Sequence, residues 1–231
     1  MKKYLFLLFI HLLGINTTAS AQQEVRDSLV RILDTIPAGE ERREILISLS
    51  AKYKYSDPEK SRFYTDKLMQ EAQNADDIKG VGVAYTHYGL LEKNTRKQIS
   101  YYRKAHNTLQ GSNYYFDIVN NLRQLAHAYY VLSTFDSARM YLKEAVDISL
   151  PQKDTVNTGL AYRQYAILEM EEGNLSRSKE LFKKAMDMFP KDKYPRFNAI
   201  LKTGIADLYN KLSLPDSSVI VLMEAAKVFD Q

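Results

Sequence analysis

Two arginines occupy the same place in consecutive segments of this chain, and they are the strongest candidates for chemistry. Arg123 and Arg163 lie forty residues apart, each within a predicted helix. A guanidinium group donates two parallel hydrogen bonds to a carboxylate, so two neighbouring guanidiniums would suit an acidic ligand. The alternative is two solvated arginines, each near a glutamate of its own helix. The residue pattern leaves both interpretations open.

Residues for other chemistry are scarce. None of the four histidines (His11, His87, His106 and His127) has a second histidine four residues away with a glutamate between, so the zinc-hydrolase pattern is absent. The chain has no Cys, which excludes disulfides, thiolate metal ligands and cysteine nucleophiles. No Gly-x-Ser-x-Gly nucleophile elbow occurs. We therefore predict a protein that is not an enzyme, with no catalytic residues, no cofactor and no metal site.

The composition is that of a globular protein without a nucleic-acid-binding surface. Apolar residues make up 45% and charged residues 26% of the 231 residues, which is the usual balance of a folded domain. The formal net charge of +4 is too small an excess to indicate a nucleic-acid partner. The chain has 17 Tyr but only 9 Gly and 6 Pro. Few helix breakers and many rings favour long helices that pack through aromatic side chains.

The N-terminal residues have the three parts of a secretory signal peptide. Two lysines precede an apolar run over residues 4–13, and Ala19 and Ala21 supply the small residues that a signal peptidase recognises. The alternative, a membrane anchor, is disfavoured because about ten apolar residues cannot span a bilayer. We predict a signal peptide over residues 1–21, a periplasmic or secreted protein without a lipid anchor, and no membrane insertion after cleavage. Export without Cys is typical of a bacterial periplasm.

The rest of the chain repeats itself. Ala105, Ala145, Ala185 and Ala225 recur every forty residues, each preceded by two large residues three and four positions earlier. Each copy has the apolar spacing of two amphipathic helices. The period predicts an all-α fold, an α-α superhelix or solenoid of about five helix-turn-helix repeats. The expected segments are a leading helix and linker over 22–40 and repeats over 41–76, 77–112, 114–151, 154–190 and 194–231.

These repeats resemble the tetratricopeptide repeat, which has small residues where its two helices cross, a Tyr late in the first helix and a Pro after the second. The copy at 114–151 matches at Leu125, Ala126, Tyr129, Ala138, Leu142 and Ala145, with Pro151 one residue late. The next copy carries Glu169 and Ser178 where Tyr and Ala are usual. The resemblance covers residues 41–231 and implies that the first helices line a concave groove that binds a partner.

The groove should lie on the helix face opposite the small, packed positions. In three consecutive first helices that face combines basic, polar and apolar side chains. The predicted partner-binding residues are Thr86, Leu90, Asn120, Arg123, His127, Tyr130, Arg163, Ile167 and Met170. The apolar members would contact a peptide or a partner helix, unless the leading helix or another chain covers them.

The resemblance implies a non-enzymatic scaffold that binds a protein or peptide partner, and no nucleic acid. It also extends to the extracytoplasmic sensor regions of bacterial signalling proteins, where such an array precedes a membrane helix and an output module. On that alternative, the chain is the input portion of a longer protein. No polar capping helix follows the C-terminal repeat in this sequence, so self-association through that end is a further expectation.

Overall fold

The computed structural model describes residues 19–229, which form eleven α-helices and no strand. Residues 1–18 of the predicted signal peptide lie outside this range, as do Asp230 and Gln231. The helices are α1 (Ala19–Thr35), α2 (Glu40–Tyr53), α3 (Pro58–Asn74), α4 (Ile78–Leu91), α5 (Thr95–Leu109), α6 (Tyr115–Val131), α7 (Phe135–Ser149), α8 (Thr155–Glu171), α9 (Leu175–Met188), α10 (Pro195–Lys211) and α11 (Pro215–Phe229).

The helices from α2 onward form five consecutive pairs, each a first helix followed by a second helix. Consecutive first helices along the stack (α2, α4, α6, α8 and α10) approach one another along the backbone, whereas the backbones of the described second helices do not. The second helices α5 and α7 meet only through side chains, among them the His106 and Tyr141 rings. The first helices therefore form the inner, more crowded side of a curved stack. The predicted fold class, an all-α superhelix of five helix pairs, is confirmed.

Polar caps and left-handed residues define where these helices begin and end. Asp57, Asp77, Asn94 and Asp154 are N-caps whose side chains accept a hydrogen bond from the backbone N–H three residues later. Three turns after first helices contain a left-handed residue at the same repeat position, Ser133 (φ 56°), Gly173 (φ 83°) and Ser213 (φ 59°). This conformation closes the helix and reverses the chain within one short turn.

Small residues let the helices cross closely. Ala105, Ala145 and Ala185 are completely buried, and Ala225 is 2% exposed. Gly159 of α8 lies directly on the Phe189 ring, because a Cβ at this glycine would come within 2.5 Å of a ring carbon. The alanine series therefore marks the crossing points, with aromatic and aliphatic side chains filling the space around them.

Enlarging these alanines should destabilise the stack. We expect Ala145→Leu and Ala185→Leu each to lower the free energy of unfolding by roughly 1–3 kcal/mol, because the added atoms have no space at the crossing. Ala51→Leu, at an exposed position of α2, is the matched control and should change it little. Urea denaturation measures the difference. Unchanged midpoints for both buried substitutions would contradict this packing.

The leading helix α1 packs against α2. The Arg42 guanidinium of α2 donates hydrogen bonds to the carbonyl oxygens of Leu33 (2.5 Å) and Ile36 (3.0 Å) at the end of α1, and pairs with Glu71 of α3 (2.8 Å). α1 begins at Ala19, so the predicted cleavage site lies in its first turn, and the cleavage itself remains a prediction. None of the described helices combines the length and the apolar character needed to cross a membrane.

Candidate functional site

A pocket of about 330 Å³ lies between the first helices α6 and α8. Its apolar part is formed by buried Ala126, Leu142 and Leu168 together with half-buried Ile167. Polar and aromatic side chains complete the lining, and this set consists of Gln124, His127, Tyr130, Arg163 and Gln164. The pocket thus combines an apolar wall with hydrogen-bond donors and a cation, which is the usual composition of a ligand site.

Of the two predicted arginines, Arg163 lines this pocket and Arg123 lies beside it. Arg123 of α6 reaches α8, where its Nε donates to Gln164 Oε1 (3.0 Å) and a terminal nitrogen donates to Asn157 Oδ1 (3.2 Å). The Nε of Arg163 is buried and has no hydrogen-bond partner among residues 19–229. The alternative of two solvated arginines paired with glutamates of their own helices does not fit these contacts.

The positive charges of this pair are poorly compensated. Burial lowers the pKa of Arg123 to about 10, and repulsion from Arg163 adds to the effect, whereas Asp154 opposes it. Burial also lowers the pKa of Arg163, with Asp207 acting in the opposite direction. Lowered pKa values mean that the protein disfavours the charged forms in the absence of a further anion. A carboxylate between the two guanidiniums would relieve this cost.

Four predicted groove residues line the pocket, namely His127, Tyr130, Arg163 and Ile167. The exposed His127 ring stacks on the Tyr130 ring, with centroids 6.2 Å apart. Asn120 and Arg123 are half-buried on α6 outside the pocket lining. Leu90 is half-buried on α4, where it packs against the cluster around Leu125 and Tyr129. The structure therefore concentrates the predicted site on α6 and α8.

Two predicted groove residues are placed differently from expectation. Thr86 is 3% exposed, and its hydroxyl accepts a hydrogen bond from Asn121 Nδ2 (3.1 Å), because a short side chain at this position stays in the seam between α4 and α6. Met170 is 4% exposed and belongs to the apolar cluster that includes Leu208 of α10. Neither side chain is available to a groove ligand, so both predictions of groove exposure are corrected.

Three amide side chains of this site were not predicted from the sequence, and two of them, Gln164 and Asn157, accept hydrogen bonds from Arg123. Gln124 and Gln164 both line the pocket and stand forty residues apart, each directly after an arginine. The repeat period was therefore a signal that could have found them. Asn157 carried no such signal, because it reaches Arg123 only through its position beside the N-cap Asp154, to which its side-chain nitrogen donates (2.7 Å).

A second polar cluster, also missed, is buried between α2, α3 and α4. Thr65 gives its hydroxyl proton to the Ser61 carbonyl (2.8 Å), so the Ser50 hydroxyl, 2.6 Å away, must donate to Thr65. His87 Nδ1, 2.7 Å from the Ser50 oxygen, must then carry a proton and donate it to Ser50. The three side chains are at most 8% exposed, so this chain of donors fixes the His87 tautomer and joins three helices.

Neither cluster has the ligand set of a metal centre. Across residues 19–229 no group of three or more His, Asp or Glu side chains is arranged to hold a metal ion. The site between α6 and α8 offers guanidinium, amide and imidazole donors instead. What it can do chemically is bind an anion next to an apolar group.

Comparison with known proteins identifies the fold. No family model matches the sequence, and no curated protein matches it. Among solved structures, BtubC (BKLC) from P. vanneervenii superposes with a TM-score of 0.70 at 14% identity, over 93% of this chain and 92% of that chain. A Rap protein complexed with Competence and Sporulation Factor superposes with a TM-score of 0.71 at 12% identity, over 90% of this chain and 70% of that chain.

A third similar structure is a signal transduction ATPase with numerous domains from Pyrococcus horikoshii, which has a tetratricopeptide repeat sensor. The TM-score is 0.70 at 15% identity, and the match covers 92% of this chain but 35% of that protein. At these identities the likenesses concern the fold alone. The resemblance seen in the sequence is thus shown at the level of structure, as a tetratricopeptide-like solenoid.

Proposed function

We propose that this tetratricopeptide-like solenoid is a non-enzymatic scaffold that binds an acidic segment of a protein or peptide partner between α6 and α8. The observation that carries the proposal is the pair Arg123 and Arg163 at an apolar-walled pocket. The Arg123 guanidinium donates to two amide oxygens, and the buried Nε of Arg163 has no hydrogen-bond partner in the described range. A carboxylate would pair with the guanidiniums, and a neighbouring apolar side chain would enter the pocket.

The solved relatives support a protein-binding role. The Rap structure contains a complex with Competence and Sporulation Factor, so a solenoid of this fold has a bound factor in that protein. In this chain consecutive first helices lie side by side on the inner side, so a ligand lying across α6 and α8 would bridge two pairs. Bridging of this kind provides a long contact surface for an extended segment.

Reversing the two charges should weaken the binding of acidic ligands. We expect Arg123→Glu/Arg163→Glu to reduce binding of acidic peptides at least about tenfold, because two charge-assisted contacts become repulsive. Isothermal titration with short Asp/Glu-rich peptides, and with their Asn/Gln counterparts as reference ligands, measures this. Pull-down from periplasmic extract with the same variants then tests natural partners.

The matched control is Arg96→Glu/Arg177→Glu, which changes the net charge equally at exposed positions of the second helices α5 and α9. Circular dichroism melting must show that both double variants remain folded. If the inner variant does not fold, Arg163→Met alone serves in its place. Equal binding by wild type and folded inner variant would overturn the proposed groove site.

We further propose that the scaffold acts outside the cytoplasm, in the periplasm or after secretion. The support is the lysine, apolar and small-residue order of residues 1–21. Fractionation of cells producing the tagged chain, followed by N-terminal sequencing of the exported product, tests this. A mature N-terminus at Gln22 is expected, and a full-length product retained in the cytoplasm would contradict it.

A second candidate function is the input portion of a bacterial signalling protein. It is favoured by the likeness to the signal transduction ATPase, in which a tetratricopeptide repeat region is named as the sensor and of which this chain spans 35%. Reading the coding DNA beyond Gln231 tests it. A membrane helix and an output module encoded in frame would support this candidate, and a stop codon followed by neither would remove it.

A further inference from the structure

The last helix, α11, carries large apolar side chains on its outer surface. Among the described helices it packs only against α10. Val219, Ile220, Leu222, Met223 and Phe229, hereafter the α11 face, are between 43% and 61% exposed. Their spacing places them on one continuous side of the helix, about half of its circumference. A contiguous exposed apolar surface of this kind marks an interaction site.

Two residues of the α11 face occupy repeat positions that are buried by the next helix in the preceding pair. Leu222 and Phe229 stand forty residues after Phe182 and Phe189, which are 2% and 0% exposed in the preceding pair. There α10 covers them, because Phe197 stacks on Phe189 with centroids 4.7 Å apart and Gly204 lies against Phe182. Leu222 and Phe229 thus occupy the same packing positions as Phe182 and Phe189, but no helix of the described range covers them.

The other three residues of the α11 face are apolar at positions where the preceding second helix is charged. Val219, Ile220 and Met223 correspond to Lys179, Glu180 and Lys183 of α9, which are exposed and charged. An ordinary next helix would not reach these outer positions, since the equivalent residues of α9 remain in solvent beside α10. The occupant of α11 must therefore cover its outer side as well.

Two charges indicate which occupant fits. Asp216 and Lys227 are exposed near opposite ends of α11, on the same edge of the face and about 16 Å apart along the axis. If a second α11 lies antiparallel across the first, each Lys227 comes opposite the Asp216 of the other copy. Glu224, outside this edge, is already paired with Lys202 of α10 (2.6 Å).

We propose that α11 is a homodimer interface in which two copies of this chain pack α11 against α11 in an antiparallel, two-fold arrangement. Such an arrangement buries the α11 face of both copies and closes on itself, so that assembly stops at two. The reciprocal Asp216 and Lys227 pairs set the register. This interface is separate from the pocket between α6 and α8 and does not depend on any groove ligand.

Light scattering over a concentration series of the purified chain tests the proposal. A dimer at micromolar concentration is expected for the wild type. Met223→Lys should raise the dimer dissociation constant by about tenfold or more, because it places a charge in the apolar contact. The matched control is Met140→Lys, an exposed methionine on the outer side of α7, which should leave the dimer intact.

Charge reversal tests the antiparallel geometry. Asp216→Lys and Lys227→Glu should each weaken the dimer, and the double variant Asp216→Lys/Lys227→Glu should restore it. Failure of the double variant to restore the dimer would overturn the antiparallel register. A monomeric wild type, oligomers that continue to grow with concentration, or a dimer insensitive to Met223→Lys would each overturn the α11 interface.

Discussion

Arg139→Met is expected to lower the free energy of unfolding by about 3–5 kcal/mol, because it leaves a buried carboxylate without its cation. Arg139 of α7 donates from Nε to Glu169 of α8 (2.9 Å) and also pairs with Asp136 (2.9 Å) and with Glu172. Glu169 is only 5% exposed and then keeps a single side-chain donor, Asn174 Nδ2 (2.8 Å). Methionine preserves most of the packing of the arginine stem, so the loss reports on charge.

Two further variants isolate the cause of this loss. Arg177→Met removes an arginine from an exposed pair with Glu180 (2.8 Å) and should cost less than about 1 kcal/mol. In the double variant Arg139→Met/Glu169→Gln the buried carboxylate is replaced by a neutral amide. Much of the stability lost in Arg139→Met should therefore return. Urea denaturation at neutral pH measures all three. If Arg139→Met lowered the free energy of unfolding by no more than Arg177→Met does, the buried Glu169 carboxylate would not need Arg139 for its stabilisation.

His87 should make the fold less stable in mild acid. Burial lowers the pKa of His87 to about 4, and the nearby charge of Lys54 acts in the same direction. Between the unfolded value of about 6.5 and this folded value, the unfolded chain binds a proton that the folded chain does not. The contribution of His87 is therefore fully present at pH 7, falls by about 2 kcal/mol at pH 5 and by about 3 kcal/mol at pH 4.

This contribution is read as the difference between wild type and His87→Asn, whose amide nitrogen can still donate to Ser50. From pH 7 to pH 5 the wild type should lose about 2 kcal/mol more than the variant. The difference is needed because Asp117 acts in the opposite direction. Burial raises the pKa of Asp117 to about 6, so its contribution to stability increases as the pH falls below that value.

Parallel stability curves for wild type and His87→Asn between pH 7 and pH 4 would contradict the buried neutral imidazole, and with it the proton order that links Ser50, Thr65 and Ser61.

The helix pairs were predictable because the repeat period survives divergence of the individual residues. Ala145 and Ala185 were identified by spacing alone, and both are completely buried. Positions at a crossing tolerate few side chains, so the sequence there keeps its signature. The turn residues Ser133 and Ser213 were less predictable, since serine in the left-handed region gives no signal as clear as Gly173.

The site was predictable only where side chains are long enough to leave the seam. Arg163 lines the pocket, whereas Thr86, which was also predicted to face the groove, is too short and bonds to Asn121 instead. Periodicity assigns a face to each residue but does not say how deep a neighbouring helix covers it. The buried His87 cluster had no sequence pattern at all, because its partners come from three helices.

The first helices of successive pairs approach one another along the backbone, whereas the second helices α5 and α7 meet through side chains, with the His106 and Tyr141 rings 6.3 Å apart. The curved stack therefore has a shorter inner path and a longer outer path between its ends. The pocket between α6 and α8 lies on the inner path, near the middle of the stack. A wider ligand there would require α6 and α8 to separate, and because an arm of the stack extends on each side of this point, a small separation would change the distance between the two ends by a larger amount.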